Sequence, residues 1–238
     1  MSKSKIINLN KVRLFGVEMA FLDFHNYYEV IEDSMAAKFQ ERSLSYVEFL
    51  KQGTEKVLDR DYSNYLDQQY CEGLSEMGYN FPNIFRASFF VQVISFIEFE
   101  LKELCMFHEE QNKPLIKFSD LKGADEFEKI KKYLKGSENI DFSLLDPEWG
   151  YIKKMKILRN RFVHHYGTID KEDRDRYRKI LEIVNSEKSI TFMENSLRDK
   201  KIDDFDSLTL VIADKEFNVN LLKQAESLFQ KILTLFRL

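Results

Sequence analysis

The sequence predicts a mostly α-helical fold with a small β-hairpin before the C-terminal helix. Three observations carry that expectation. Only eight Gly and three Pro occur in 238 residues, so long stretches run without a helix breaker. Apolar residues recur at three- and four-residue steps along most of the chain. Hydrophobic residues make up 44% of the sequence, with 21 Phe and 11 Tyr, which supplies a core of large aromatic contacts.

The elements follow in order. Residues 1–12 are polar and read as a short arm. Phe21, Phe24, Tyr28, Ile31 and Met35 mark an amphipathic helix over Val17–Gln40. Ser43 or Ser45 is placed to cap a further helical stretch toward Lys56, and Tyr62–Met77 follows as a helix. Gly78 to Pro82 reads as a break. Pro82–Gln111 is the most hydrophobic segment, apolar around most of its circumference through Phe85, Phe89, Phe90, Val93, Ile97 and Leu101; a helix of that kind is buried on more than one side. Asn112-Lys113-Pro114 ends it. Asp125–Leu134 is a shorter helix closing at Gly136. Asp146-Pro147-Glu148 opens another, with Asp146 as cap and proline where its missing N–H costs nothing; it runs to Tyr166 and stops at Gly167. Arg174–Val184 is helical. Ser189–Met193 and Leu208–Ala213 are β-branched runs expected to pair as the hairpin, and Glu216–Phe236 closes the chain as a helix.

Bulk properties exclude several function classes. A net charge of −4 argues against a protein that coats nucleic acid through wide basic surfaces, though not against a local basic site. Cys71 and Cys105 are too few for a disulfide framework, lack zinc-type spacing and read as buried thiols. With no signal peptide and no apolar run of membrane-spanning length, the expected location is the cytoplasm, with no membrane partner.

Chemistry concentrates in Arg159-Asn160-Arg161-Phe162-Val163-His164-His165-Tyr166. An arginine can meet phosphate charge and an imidazole can move protons near neutral pH. Residues four apart share a helix face, which puts Asn160 under His164 as its orienting partner and Arg161 under His165. Arg159 and His164 are separated by about 140° around the axis, so the same helix of a second subunit would complete one cleft more readily than a single chain. Lys153, Lys154 and Lys156 precede Arg159 and Arg161, with no acid among them; this basic stripe suits a phosphate backbone. The plainer reading of such a run is a solvated helix face. Adjacent histidines point about 100° apart and no third ligand stands at suitable spacing, so no metal and no other cofactor is expected. His25 and His108, lone on aromatic helices, read as core or surface residues, and Trp149 as a core anchor.

The run R-N-x-x-x-H-x-Y resembles the motif of the HEPN superfamily, an Arg and a polar residue followed by a His. His164 matches best, because family members often end His-x-Tyr, while His165 also fits the spacing. Ser95-Phe96-Ile97-Glu98-Phe99-Glu100-Leu101-Lys102-Glu103-Leu104-Cys105 is similar to a helix of larger HEPN proteins that carries an acidic residue, at Glu98 by the match or Glu100 by the helical wheel. Either carboxylate could orient the motif Arg or His; a Glu98–Lys102 pair or a partner for Arg86 is the structural alternative. Thr209–Phe236 resembles the C-terminal end of those proteins. The resemblance therefore implies a HEPN-like helical bundle over 81–238, with 1–80 a helical N-terminal elaboration packed on the same domain.

What the resemblance implies about function is a metal-independent endoribonuclease. The RNA 2′-OH would attack the adjacent phosphorus, giving 2′,3′-cyclic phosphate and 5′-OH ends, in prokaryotic antiphage defence or a toxin–antitoxin system. Arg159, His164 and Asn160 would be catalytic, with Glu98, Glu100 and His165 in support, and Lys153, Lys154, Lys156 and Arg161 holding RNA, such as tRNA or mRNA. Partners implied are a second copy of the chain, and a cognate antitoxin or a nucleotidyltransferase that adenylylates Tyr166. The alternative expectation is a non-catalytic HEPN-fold module that binds RNA, nucleotide or protein; a third is a helical interaction protein in which the motif is coincidence.

Overall fold

The computed structural model describes residues 9–56, 60–123, 125–138, 140–196 and 206–235. Seven α-helices and three short strands occur among them. They are α1 (Leu9–Lys56), α2 (Arg60–Ser75), α3 (Phe81–Asn112), α4 (Glu126–Glu138), α5 (Asp146–His165), β1 (Thr168–Asp170), α6 (Arg174–Ser186), β2 (Ile190–Phe192), β3 (Ser207–Ile212) and α7 (Glu216–Leu235). The mostly α class and the small β element before the last helix are as the sequence indicates. Among the described residues no helix is long and apolar enough to cross a membrane.

Several boundaries differ, each for a physical reason. The arm expected over 1–12 is helical from Leu9, and residues 1–8 lie outside the described residues. Ser43 and Ser45 cap nothing: α1 passes through them, and their hydroxyls donate back to the Phe39 and Glu41 carbonyls at 2.8 and 3.1 Å, the arrangement that lets serine sit inside a helix. The expected break at Gly78–Pro82 is a π-helical turn, Glu76–Asn80, and Phe81 stays helical at φ −66°, ψ −44°. Pro82 therefore lies within a continuous helical path, where it offers no N–H to the turn before it, and the wider π-helical turn directly precedes α3. Helix α4 continues past Gly136 to Glu138. Asp146 is the first residue of α5 rather than its cap. Buried Leu145 holds the cap position with no side-chain cap bond, and the Asp146 carboxylate stands in the first turn, where the helix dipole favours it.

The hairpin forms, with β2 antiparallel to β3 and Ile190 opposite Ile212. β1 pairs along the other edge of β3, Thr168 opposite Thr209, giving the order β1-β3-β2. Central β3 buries Leu208, Leu210, Val211 and Ile212, with Thr209 half-buried among them.

The described residues form two compact units, one comprising Leu9–His25 and those from Phe90 onward, the other those within Asn26–Phe89. Of the described residues, Leu9–His25 thus group with the C-terminal part rather than with residues 26–80. In the first unit, Phe90, Val93, Ile94, Ile97 and Leu101 of α3 are buried with Trp149, Ile152, Met155 and Leu158 of α5 and Leu221, Leu222, Ala225 and Leu228 of α7. Phe21 packs between Phe96 at 5.5 Å and Phe229 at 5.6 Å. In the second unit, Tyr28 lies 4.5 Å from Phe89 and 5.5 Å from Phe85. Arg86 there donates both arms of its fork to the Glu32 carboxylate at 2.7 and 2.8 Å, a bidentate pair that leaves little of either charge unmet.

Candidate functional site

Helix α5 is fixed by one buried face and at both ends. Near its start, the largely buried Glu148 carboxylate accepts from the Lys231 ammonium at 2.6 Å and the Ser227 hydroxyl at 2.9 Å, both on α7. Burial alone would raise this carboxyl group's pKa, but those donors outweigh it and hold it below the ordinary carboxylate range. One turn on, the Tyr151 hydroxyl accepts from the Asn220 amide at 3.2 Å. At the other end Tyr166 and Gly167 turn left-handed, at φ 51° and 79°. The Gly167 N–H then reaches the Arg161 carbonyl at 3.0 Å, and the Gly167 carbonyl accepts from Leu210 N–H of β3 at 3.0 Å. A Cβ at Gly167 would stand 3.2 Å from the Leu210 carbonyl oxygen and the Phe162 ring. Gly167→Ala combines that crowding with an unfavourable φ, so it should lower stability by about 1–2 kcal/mol, measurable as a shifted urea midpoint.

Arg159 is half-buried and held by side chains from two helices. Its guanidinium donates to Ser95 Oγ on α3 at 3.0 Å and to Asn160 Oδ1 at 3.1 Å, while its buried Nε has no hydrogen-bond partner. Among the described residues no carboxylate pairs with it. Asn160, expected beneath His164, is therefore engaged by Arg159 instead. The physical cause is the charged donor, which makes a stronger hydrogen bond to the amide oxygen than a neutral group does. His164, His165 and Tyr166 are exposed, Tyr166 at 90%, and His164 makes no hydrogen bond to a described residue. Arg159 and Asn160 are thus brought together, while His164 stands apart on the solvent side.

The basic stripe is partly neutralised from other helices. Lys156 donates to Glu98 of α3 at 2.8 Å and lies 3.5 Å from Asp125, and Lys153 donates to Glu128 of α4 at 2.6 Å. Glu98 therefore serves Lys156; it orients neither Arg159 nor His164, and it does not pair with Lys102. Glu100 is half-buried on the same helix. Arg161 is held somewhat below arginine's usual range by burial and by nearby Arg176, with Asp173 opposing. Lys154 is exposed. Between α4, α5 and α6 opens a cleft of about 490 Å³, lined by Lys132, Lys153, Lys156 and Lys179 together with Asn160, Asp125 and Glu128. Lys132 and Lys179 carry no local sequence signal linking them to the motif, because only the helix packing brings them to it. Ser95 lies 64 residues from Arg159, and its segment stands out in sequence for Glu98 and Glu100 rather than for this contact.

Other singled-out residues have structural settings. Trp149 is 2% exposed, edge-on to Phe127 and Phe142. His25 pairs with Glu226 at 3.2 Å, and buried His108 meets the Tyr133 hydroxyl at 2.9 Å. Cys105 is buried, but Cys71 is exposed, correcting the reading of both as buried thiols: α2 turns it outward, where its thiol lies 3.9 Å from the Tyr46 hydroxyl. Among the described residues no group of three His, Cys, Asp or Glu could hold a metal ion. Comparison with models of protein families, with curated proteins and with solved structures yields no match.

Proposed function

We propose that the protein is a metal-independent endoribonuclease of HEPN type that acts as a homodimer in prokaryotic antiphage defence or as a toxin. The observation that carries this reading is Arg159, a guanidinium positioned by Ser95 and Asn160 with no described carboxylate to neutralise it. A cation fixed in that way is ready for charge that develops on a phosphorane. His164, exposed one and a half turns further along α5, would take the proton from a 2′-OH. The 2′ oxygen then bonds to phosphorus, the P–O5′ bond breaks, and the imidazolium returns its proton to the leaving 5′ oxygen, giving 2′,3′-cyclic phosphate and 5′-OH ends. The imidazole of a second copy would complete the site, since Arg159 and His164 point in different directions from one helix. Lys132, Lys153, Lys156 and Lys179 around the cleft beside Asn160 would track the RNA backbone, with Lys154 and Arg161 on its flank. Tyr166, exposed at the helix end, would be open to adenylylation by a partner nucleotidyltransferase.

One observation favours a second reading, an RNA- or nucleotide-binding module. Within one chain exposed His164 makes no hydrogen bond to a described residue and stands apart from the Arg159–Asn160 pair, so a single copy suits holding an anion better than cutting one. Cleavage of total RNA in EDTA separates the two: the nuclease reading expects loss of cutting in His164→Ala, whereas the binding reading expects retention of RNA with no new ends in either protein.

A further inference from the structure

The Asn26–Phe89 unit carries a second cleft, of about 620 Å³, between the C-terminal half of α1 and helix α2. Its size falls within the ordinary range for small-ligand sites, roughly 300–1,000 Å³. The lining combines two cations, Lys38 and Arg42, with two aromatic rings, Tyr65 and Tyr70, and the amide of Gln69. Neither cation pairs with a described carboxylate, although Glu41 also lines the cleft. Tyr65 is 57% exposed and stacks on no described ring.

The walls are built rather than incidental. Tyr46 of α1 donates to Asp67 of α2 at 2.6 Å, clamping the two helices together. Tyr70 lies 5.0 Å from the Phe49 ring and 5.5 Å from Tyr46, which fixes one aromatic side. Arg42 rests against Gly73, where any Cβ would collide with its guanidinium. Glycine at that point is what lets the cation lie close along α2.

We propose that this cleft binds a nucleoside phosphate, with the ring on Tyr65 and the phosphate on Lys38 and Arg42. An exposed tyrosine offers a face on which a base can stack. The Gln69 amide supplies both a donor and an acceptor for a base edge, and guanidinium pairs with phosphate through two parallel bonds. The ligand is either a free nucleotide or the phosphorylated end of an RNA strand, which share this chemistry. The site lies in a different unit from Arg159 and His164 and does not depend on their role.

Isothermal titration calorimetry on the full chain carrying His164→Ala, which keeps RNA intact, tests it with ATP, inorganic phosphate and a 5′-phosphorylated oligoadenylate. ATP or the oligoadenylate should bind, the tighter of the two identifying the source, and inorganic phosphate should bind at least tenfold more weakly. Arg42→Gln and Tyr65→Ala should each weaken the nucleotide at least tenfold. Both residues are exposed, and unchanged thermal melting would show that the variants fold. Absence of binding by both ATP and oligoadenylate, unchanged affinity in either variant, or phosphate binding as tightly as ATP overturns the proposal.

Discussion

Arg159→Ala is expected to lower metal-free RNA cleavage by about 10²–10³-fold, the range typical for removing one preorganised stabiliser of transition-state charge. The fold should survive. The guanidinium is half-buried, makes two hydrogen bonds and leaves Nε unsatisfied, so deleting it removes about as much desolvation cost as bonding. Stability should change by no more than about 1 kcal/mol. Arg159→Lys separates charge from geometry. An ammonium cannot present two donors in a fixed fork to Ser95 and Asn160, so activity should remain well below wild type although the charge is kept. Ser95→Ala tests the same support from the α3 side: cleavage should fall by a smaller factor, because Asn160 still holds one arm. Full activity in Arg159→Ala would remove arginine from the chemistry.

The second large effect is on stability. Trp149→Ala should cost about 3–5 kcal/mol, read as a lower urea midpoint by far-UV circular dichroism. Trp149 is 2% exposed, with the Phe127 and Phe142 rings edge-on at 5.5 and 5.2 Å. It seats the first turn of the helix that carries Arg159, so its loss undermines that seat directly. Its Nε1 has no hydrogen-bond partner. Trp149→Phe therefore forfeits area and no polar contact, and should cost clearly less than the alanine change. Since Trp149 is the sole tryptophan in the chain, wild-type fluorescence reports the docking of this helix alone, and its unfolding should coincide with loss of helicity in the first unit.

The helices were legible in the sequence because three- and four-residue apolar spacing is local information. Phe81–Asn112, Asp146–His165 and Glu216–Leu235 lie within a residue or two of their expected limits. Where tertiary structure decides, local signals misled. Ser43 and Ser45 have cap chemistry but found carbonyls one turn back inside a longer helix. β1 is three residues long, too short for a period, and exists because Gly167 delivers the chain onto β3. The candidate site divides in the same way. Arg159, Asn160, His164 and Tyr166 follow from one run of sequence. Their surroundings do not: the carboxylates that neutralise Lys153 and Lys156 come from α3, from α4 and from Asp125 just before α4, so a stripe with no acid in its own helix is less cationic in space. The contact that most defines Arg159, with Ser95, crosses 64 residues.

In the proposed reaction the cluster cuts RNA through the 2′-hydroxyl, with His164 moving the proton. The most direct test is end-group analysis of an RNA substrate incubated in EDTA with wild-type protein and with His164→Ala, beside the same substrate carrying a 2′-deoxy sugar at the cut position. The expected result is 2′,3′-cyclic phosphate and 5′-OH ends from the wild type alone, and none from the deoxy substrate. Equal cleavage by His164→Ala, or cutting of the deoxy strand at the same position, would contradict it.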